Sequence, residues 1–269
     1  MLNTFLIRLR SSIILMIITL FTVIMGGNIL FATVAIISLI GLTELFQVGN
    51  IKKTILGIIT CLASLAYDFM ILLDKEDYIM MLFIAFLLLL LFSYVFTFPK
   101  YNTEQVTLAF FGFFYVSLML SYIYKVRVLE DGAILVWLIF IGAWGSDTFA
   151  YLSGILLGKH KITPKLSPKK SLEGCIGGVL GAALIGFIYA LVFKGYLTHY
   201  ENPMLAFAII GAASSVVSQI GDLAASAIKR NHDIKDYGTL IPGHGGILDR
   251  FDSIIITAPI VYFLATSIL

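Results

Sequence analysis

The sequence predicts an all-α integral membrane protein of about nine spanning helices, and three observations predict it. Hydrophobic residues fill 59% of the 269 positions and charged residues only 13%, whereas soluble domains are about half apolar and about a quarter charged; mean hydropathy is +0.99. Apolar runs recur from Ile13 to Ile268, and roughly 20 apolar residues cross a hydrocarbon core of about 30 Å. Lys and Arg are spread unevenly over alternate connections, as the positive-inside bias requires.

Apolar windows between polar breaks place spans over 12–25, 29–46, 54–73, 78–98, 104–122, 133–157, 175–193, 204–228 and 251–268. The first follows Arg8 and Arg10 and has no small-residue cleavage site behind it, so it reads as an uncleaved span. Polar residues inside the sixth and eighth spans make these two the least regular. Residues 1–100 read as scaffold helices and a candidate dimer surface; 101–269 read as a catalytic region carrying polar loops 158–174 and 229–250. Glu44 and Asp68 lie near predicted helix ends, where a capping or interface role accounts for them, although acids within a membrane are costly. Cys61 and Cys175 fall in apolar stretches and read as small buried hydrophobes rather than a disulfide or metal pair.

With the N-terminus inside, one face collects Arg8, Arg10, Lys52, Lys53, Lys100 and the basic residues of both polar loops. The other carries only Lys75, Lys125, Arg127 and Lys194. That split predicts an N-in, C-out topology with both loops and a polar cavity on the cytoplasmic side. A net charge of +2 without a dense basic face argues against nucleic acid as a partner.

The chemistry concentrates in 218–253. Ser215, Ser218, Asp222, Ser226 and Lys229 or Arg230 recur at steps of three or four and share one helix face. A carboxylate on a membrane helix costs roughly 2.5–3.5 kcal/mol on insertion scales, so a partner, an ion or a wet cavity is expected beside Asp222. Pro242-Gly243 and Gly245-Gly246 break regular structure and let backbone amides approach an anion. Asp249 and Asp252, three apart at the start of the last helix, also suit a simple dipole role, but that does not explain Lys229, Arg230, Lys235, Asp236, His244 and Arg250 in the same stretch. Magnesium uses one or two carboxylates with water and substrate phosphates, which suits Asp222 and Asp249; the neighbouring cations suit phosphate oxygens. The outline is a phosphoryl- or nucleotidyl-transfer site.

The run from Ser226 to Ser253 resembles the signature of the phosphatidate cytidylyltransferase family: Ser226, Lys229-Arg230, Lys235-Asp236, Pro242, His244-Gly245-Gly246 and Asp249-Arg250-Phe251-Asp252. The stretch 147–174, with Ala150-Tyr151, Gly158-Lys159 and Ser167-Pro168-Lys169-Lys170-Ser171, is similar to the family's second conserved block; Leu156 and Leu157 are apolar where many members are expected to carry a basic or aromatic residue. The resemblance implies a magnesium-dependent transfer of a cytidylyl group from CTP to phosphatidate in phospholipid biosynthesis, by a homodimer in the bacterial inner membrane with a cavity open to cytoplasm and lipid. It implies Asp222 and Asp249 as metal carboxylates, with room for a second cation and Ser226 beside them. Lys229, Arg230, Lys235, Asp236, His244, Arg250 and Asp252 are then candidate catalytic groups. Ser226, Lys159, Lys169, Lys170, Ser171, Asp147, Gly245 and Gly246 are candidate substrate contacts.

Two rivals share parts of this pattern. A CTP-dependent polyprenol or phytol kinase resembles the architecture but moves the γ-phosphate, and the full signature speaks against it. A transporter would also hold intramembrane acids, but here the polar residues gather at one edge. Gly154 to His160 lacks the length and preceding strand of a Walker loop. His160 reads equally as a phosphate contact or an ordinary loop histidine. Gly174-x-x-x-Gly178 and Gly177-x-x-x-Gly181 predict close helix packing in lipid.

Overall fold

A computed structural model describes residues 2–269, with side chains from residue 6. Among the described residues its regular elements are all helices, nine of the helical segments being long and apolar enough to span a membrane, and the only β pairing is two isolated bridges. The protein is an integral membrane protein, as the sequence predicts.

The chain divides into two units, residues 1–124 with 236–250, and residues 125–235 with 251–269. The first unit holds α1 (Leu2–Met25), α2 (Gly27–Val48), α3 (Ile55–Leu72), α4 (Ile79–Phe96), α5 (Thr103–Gly112), a π-helical turn over Phe113–Leu118 and the start of α6 (Met119–Arg127). Its core is built on α2, where Leu42, Leu45 and Phe46 are fully buried with Ile51, Leu56, Phe113 and Val116. Gly112 lies against the Phe46 ring, where a side chain would collide. Phe83, Phe86, Phe110, Phe113 and Phe114 interlock edge to face and stacked, geometries that their ring quadrupoles favour. Ser64 donates to Ser117 at 2.7 Å, and the hydroxyls of Tyr67 and Ser121 lie 3.1 Å apart. These buried polar groups therefore have partners where water cannot reach.

The second unit continues with α7 (Gly132–Leu135), α8 (Trp137–Phe140), a π-helical turn over Ile141–Gly145, α9 (Ser146–Leu157), α10 (Leu172–Val192), α11 (Pro203–Asn231) and most of α12 (Leu248–Ile268). Glycine lets backbones touch here. Gly186 of α10 abuts the Phe207 carbonyl of α11, and Gly211 of α11 abuts the Ala182 carbonyl of α10. Gly174 and Gly178 meet the α9 backbone at Ala150 and Ser146, and Gly177 and Gly181 receive Ser153 and Phe149. The glycine stripes thus do the packing the sequence predicts.

The sixth span is broken as expected, into short helices and a π turn. The eighth is not: α11 runs unbroken for 29 residues. Two of its buried polar side chains, Ser215 and Gln219, bond to neighbouring helices instead of competing with their own backbone. Ser215 donates to Ser146 at 2.7 Å, and Gln219 Nε2 donates to the Cys175 carbonyl at 3.1 Å. The less regular helix is the fifth span, where the π turn brings Tyr115, Val116 and Ser117 into the core. Its apolar sequence carries no sign of that extra residue per turn.

Candidate active site

The predicted site residues fall into two sets, one in each unit. In the second unit, loop 158–170 returns to α10 through a short antiparallel bridge between Lys161 and Ser171. Ser171 is the N-cap of α10: it is buried, and its hydroxyl accepts the Gly174 N–H at 3.2 Å, satisfying one of the helix's unpaired amides. Glu173 accepts the backbone N–H groups of Lys159 and His160 at 3.0 and 3.3 Å, and its other oxygen meets His160 Nδ1 at 2.6 Å. His160 is thereby a loop-fastening residue. The Lys159 side chain is exposed.

Beside this loop opens a cavity of about 500 Å³, lined by Asp147 and Tyr151 of α9, by Lys161, Lys169, Lys170 and Ser171 of the loop, and by Gln219 of α11. Lys170 Nζ lies 2.6 Å from Asp222 Oδ2 and also donates to the Gln219 carbonyl at 3.3 Å. Of the partner, ion or wet cavity expected beside Asp222, the structure shows a partner, a lysine from the loop before α10. Along the Asp222 face of α11, Ser215 and Ser218 are fully buried, while Ser226 and Lys229 are half-buried toward its end. Arg230 Nη1 turns back to the Ile234 carbonyl at 3.1 Å and closes the helix end; Lys235 is exposed. Gly221 packs against the backbone carbonyl of Asp252, and Asp252 itself accepts the Ser253 N–H at 2.8 Å.

In the first unit the stretch 236–250 is a tightly bonded loop. Pro242-Gly243 forms a type II turn: the His244 N–H returns to the Ile241 carbonyl at 2.9 Å, and Gly243 has φ +77°, a conformation that this turn requires and glycine adopts freely. Asp249 is buried, and its Oδ2 accepts the N–H groups of Tyr237 and Gly246 at 2.8 and 2.9 Å. Gly245, at φ +87°, sits where a Cβ would meet both Asp249 and Asp236, so these two acids flank one glycine. Arg250 is exposed.

Three residues outside the predicted set hold this loop. Glu44 of α2, buried at 6% exposure, accepts the N–H groups of Ile247 and Leu248 at 3.0 and 2.8 Å. It thus caps the first turn of α12 from another helix, with its charge at the positive end of the dipole. Gly238 and Gly246 leave the space that the Glu44 carboxylate fills. From α1, Ser11 donates to the Pro242 carbonyl at 3.0 Å, and the Ser12 hydroxyl lies 3.0 Å from His244 Nε2. The capping role anticipated for Glu44 is real, but the helix it caps begins some 200 residues away. No local pattern could name that helix, and nothing around Ser11 and Ser12 distinguishes them from ordinary helix-end serines.

Among the described residues no group of three metal-ligating side chains gathers. A sparse carboxylate such as Asp222, already facing a cation, fits magnesium, which completes its shell with water and phosphate oxygens. Asp249 fits less directly, since one of its oxygens is committed to two amides.

The family model for the cytidylyltransferase family matches residues 6–268. The chain is 34% identical over 266 residues to the phosphatidate cytidylyltransferase of Bacillus subtilis (strain 168), covering 96% of each chain. It is 34% identical over 267 residues to that of Staphylococcus haemolyticus (strain JCSC1435), covering 96% of this chain and 98% of the other. A shorter stretch of 132 residues, 48% of this chain and 57% of the relative, is 44% identical to the enzyme of that name from Rickettsia bellii (strain RML369-C). A polytopic helical membrane chain with these acids and bases at these spacings, matched from end to end, belongs to the cytidylyltransferase family and is a nucleotidyltransferase.

Proposed function

We propose that this protein is a phosphatidate cytidylyltransferase: CTP and phosphatidate react to give CDP-diacylglycerol and pyrophosphate, a step of phospholipid biosynthesis. The family match over nearly the whole chain carries the reading. The lysine-lined cavity beside Asp222 supports it, because it offers ammonium groups to a phosphorylated substrate.

In this reaction an oxygen of the phosphatidate phosphate attacks the α-phosphorus of CTP in line, and the bond to the β,γ-pyrophosphate breaks. The attacking oxygen is already anionic near neutral pH, so no protein nucleophile is needed. The protein's task is to align two polyanions and offset their repulsion. Lys161, Lys169 and Lys170 would receive phosphate oxygens at the cavity. Lys229, Lys235 and Arg250 would supply further positive charge, and the amides around Gly245 and Gly246 a close backbone approach. Ser226 and Asp147 would complete the substrate contacts, with Asp236, His244 and Asp252 ordering the reacting region. Asp222 and Asp249 are the carboxylates proposed for magnesium, which when bound would neutralise phosphate charge.

The class of reaction is tested with two labels. Purified protein given phosphatidate, magnesium and CTP labelled at the α-phosphorus should produce labelled lipid; γ-labelled CTP should produce labelled pyrophosphate and unlabelled lipid. Uptake of γ-label into lipid, with CDP accumulating, would replace this reading with a polyprenol-type kinase.

Orientation belongs to the proposal as well. The charge split favours an N-in, C-out topology with the active site facing the cytoplasm, and the family resemblance favours a homodimer in the bacterial inner membrane. Single cysteines at Thr163 and Thr239, with Cys61 and Cys175 replaced, should react with impermeant thiol reagents only from the cytoplasmic side. Labelling of either from outside would overturn the topology.

A further inference from the structure

We propose that Lys170 is a placeholder cation: its ammonium holds the face of Asp222 that a divalent ion takes, and the incoming ion releases it onto a phosphate in the adjoining cavity. The inference rests on the reading of Asp222 as a metal carboxylate.

The geometry is that of an exchangeable pair. Lys170 Nζ and Asp222 Oδ2 are 2.6 Å apart, with the side chains 21% and 34% exposed, so solvent and ions reach the contact. A pair this exposed contributes little to stability, which makes a purely structural clamp a weak account of it. The lysine backbone, by contrast, is fixed. The Lys170 N–H donates to the Ser167 carbonyl at 3.2 Å, and the Lys170 carbonyl accepts the Ile162 N–H at 3.4 Å. The next residue is the buried N-cap Ser171. A pinned Cα with a flexible four-carbon stem lets the ammonium change partner without moving the loop.

Charge accounting favours the exchange. Asp147 interacts electrostatically with both Asp222 and Lys170, so this ammonium serves two carboxylates. A divalent ion at Asp222 takes over that charge compensation and frees the ammonium. Lys170 also lines the cavity with Lys161 and Lys169, so the freed ammonium stays where a phosphate would bind. Metal and phosphate then favour each other's binding, and by linkage the coupling is reciprocal.

The test uses the full-length protein without nucleotide, with Mn²⁺ as the probe metal and its free EPR signal as the readout. Lys170→Met should bind Mn²⁺ about fivefold or more tightly than the unmodified protein, and Asp222→Asn should lose the site in either background. In the unmodified protein, acetic anhydride should modify Lys170 several-fold faster once Mn²⁺ is bound, and added inorganic phosphate should slow it again. Equal or weaker Mn²⁺ affinity in Lys170→Met at an unchanged melting temperature would overturn the placeholder role. So would a labelling rate indifferent to Mn²⁺ or phosphate, a measurement that needs no variant to fold. If Asp222→Asn binds Mn²⁺ as well as the unmodified protein, the metal reading itself fails, and the two failures are told apart.

Discussion

Asp222→Asn and Asp249→Asn are each expected to lower kcat by roughly a thousandfold, or about 4 kcal/mol of transition-state stabilisation, while both proteins remain folded and membrane-inserted. Asparagine is the informative replacement because of what each carboxylate does in the structure. At 249 one oxygen accepts two backbone N–H groups; an amide carbonyl can occupy that place and preserve the loop while removing the anionic charge. At 222 the substitution removes the charge facing Lys170 and leaves the helix intact, because the inter-helix bonds of α11 come from Ser215 and Gln219. Turnover at limiting magnesium and a thermal melt decide the matter together. Near-normal turnover by either variant would refute its metal role. Asp249→Ala, which cannot accept the two amides, should in addition lower the melting temperature, and this separates the loop function of Asp249 from its chemistry.

The second large effect is expected at a residue that has no proposed part in the chemistry itself. Glu44→Ala leaves the amides of Ile247 and Leu248 without their acceptor in a buried place. At roughly 1–3 kcal/mol for each unsatisfied buried group, the first turn of α12 should loosen by about 2–6 kcal/mol in all. Hydrogen exchange should rise sharply over 236–250, and turnover should fall at least tenfold at the growth temperature. Glu44→Gln should lie between, since its carbonyl can serve one amide while its NH₂ opposes the other. Gly246→Ala should reproduce the phenotype from the opposite side, because its methyl group would occupy the space of the Glu44 carboxylate. Unchanged exchange in Glu44→Ala would show that the loop holds its shape without this cap.

These expectations also mark where sequence and structure divide the information. The nine spanning segments among the described residues were legible because the hydrophobic effect acts on long runs: a segment of about 20 apolar residues belongs in the bilayer whatever its neighbours do. The glycine pairs of α10 were legible for a related reason, since spacing alone puts Gly174, Gly177, Gly178 and Gly181 where a helix can approach another closely. The acids and bases of 147–174 and 226–253 stand out in the sequence by type alone, and the proposal of a cation at the acids and phosphate at the bases rests on side-chain preferences that a segment carries by itself.

Only the tertiary structure decided the partners. Nothing in the sequence pairs Lys170 with Asp222, Glu44 with the amides of α12, or Ser12 with His244. Each contact joins elements 50 to more than 200 residues apart, and hydrogen bonds and ion pairs leave no periodic trace in either partner. The π turn over 113–118 was invisible for the converse reason: its apolar residues suit an α-helix equally well, and packing of the aromatic cluster settles the local winding. Hydropathy and spacing are properties of a segment and can be read from it, whereas the satisfaction of a buried polar group is a property of two segments and exists only once the chain has folded.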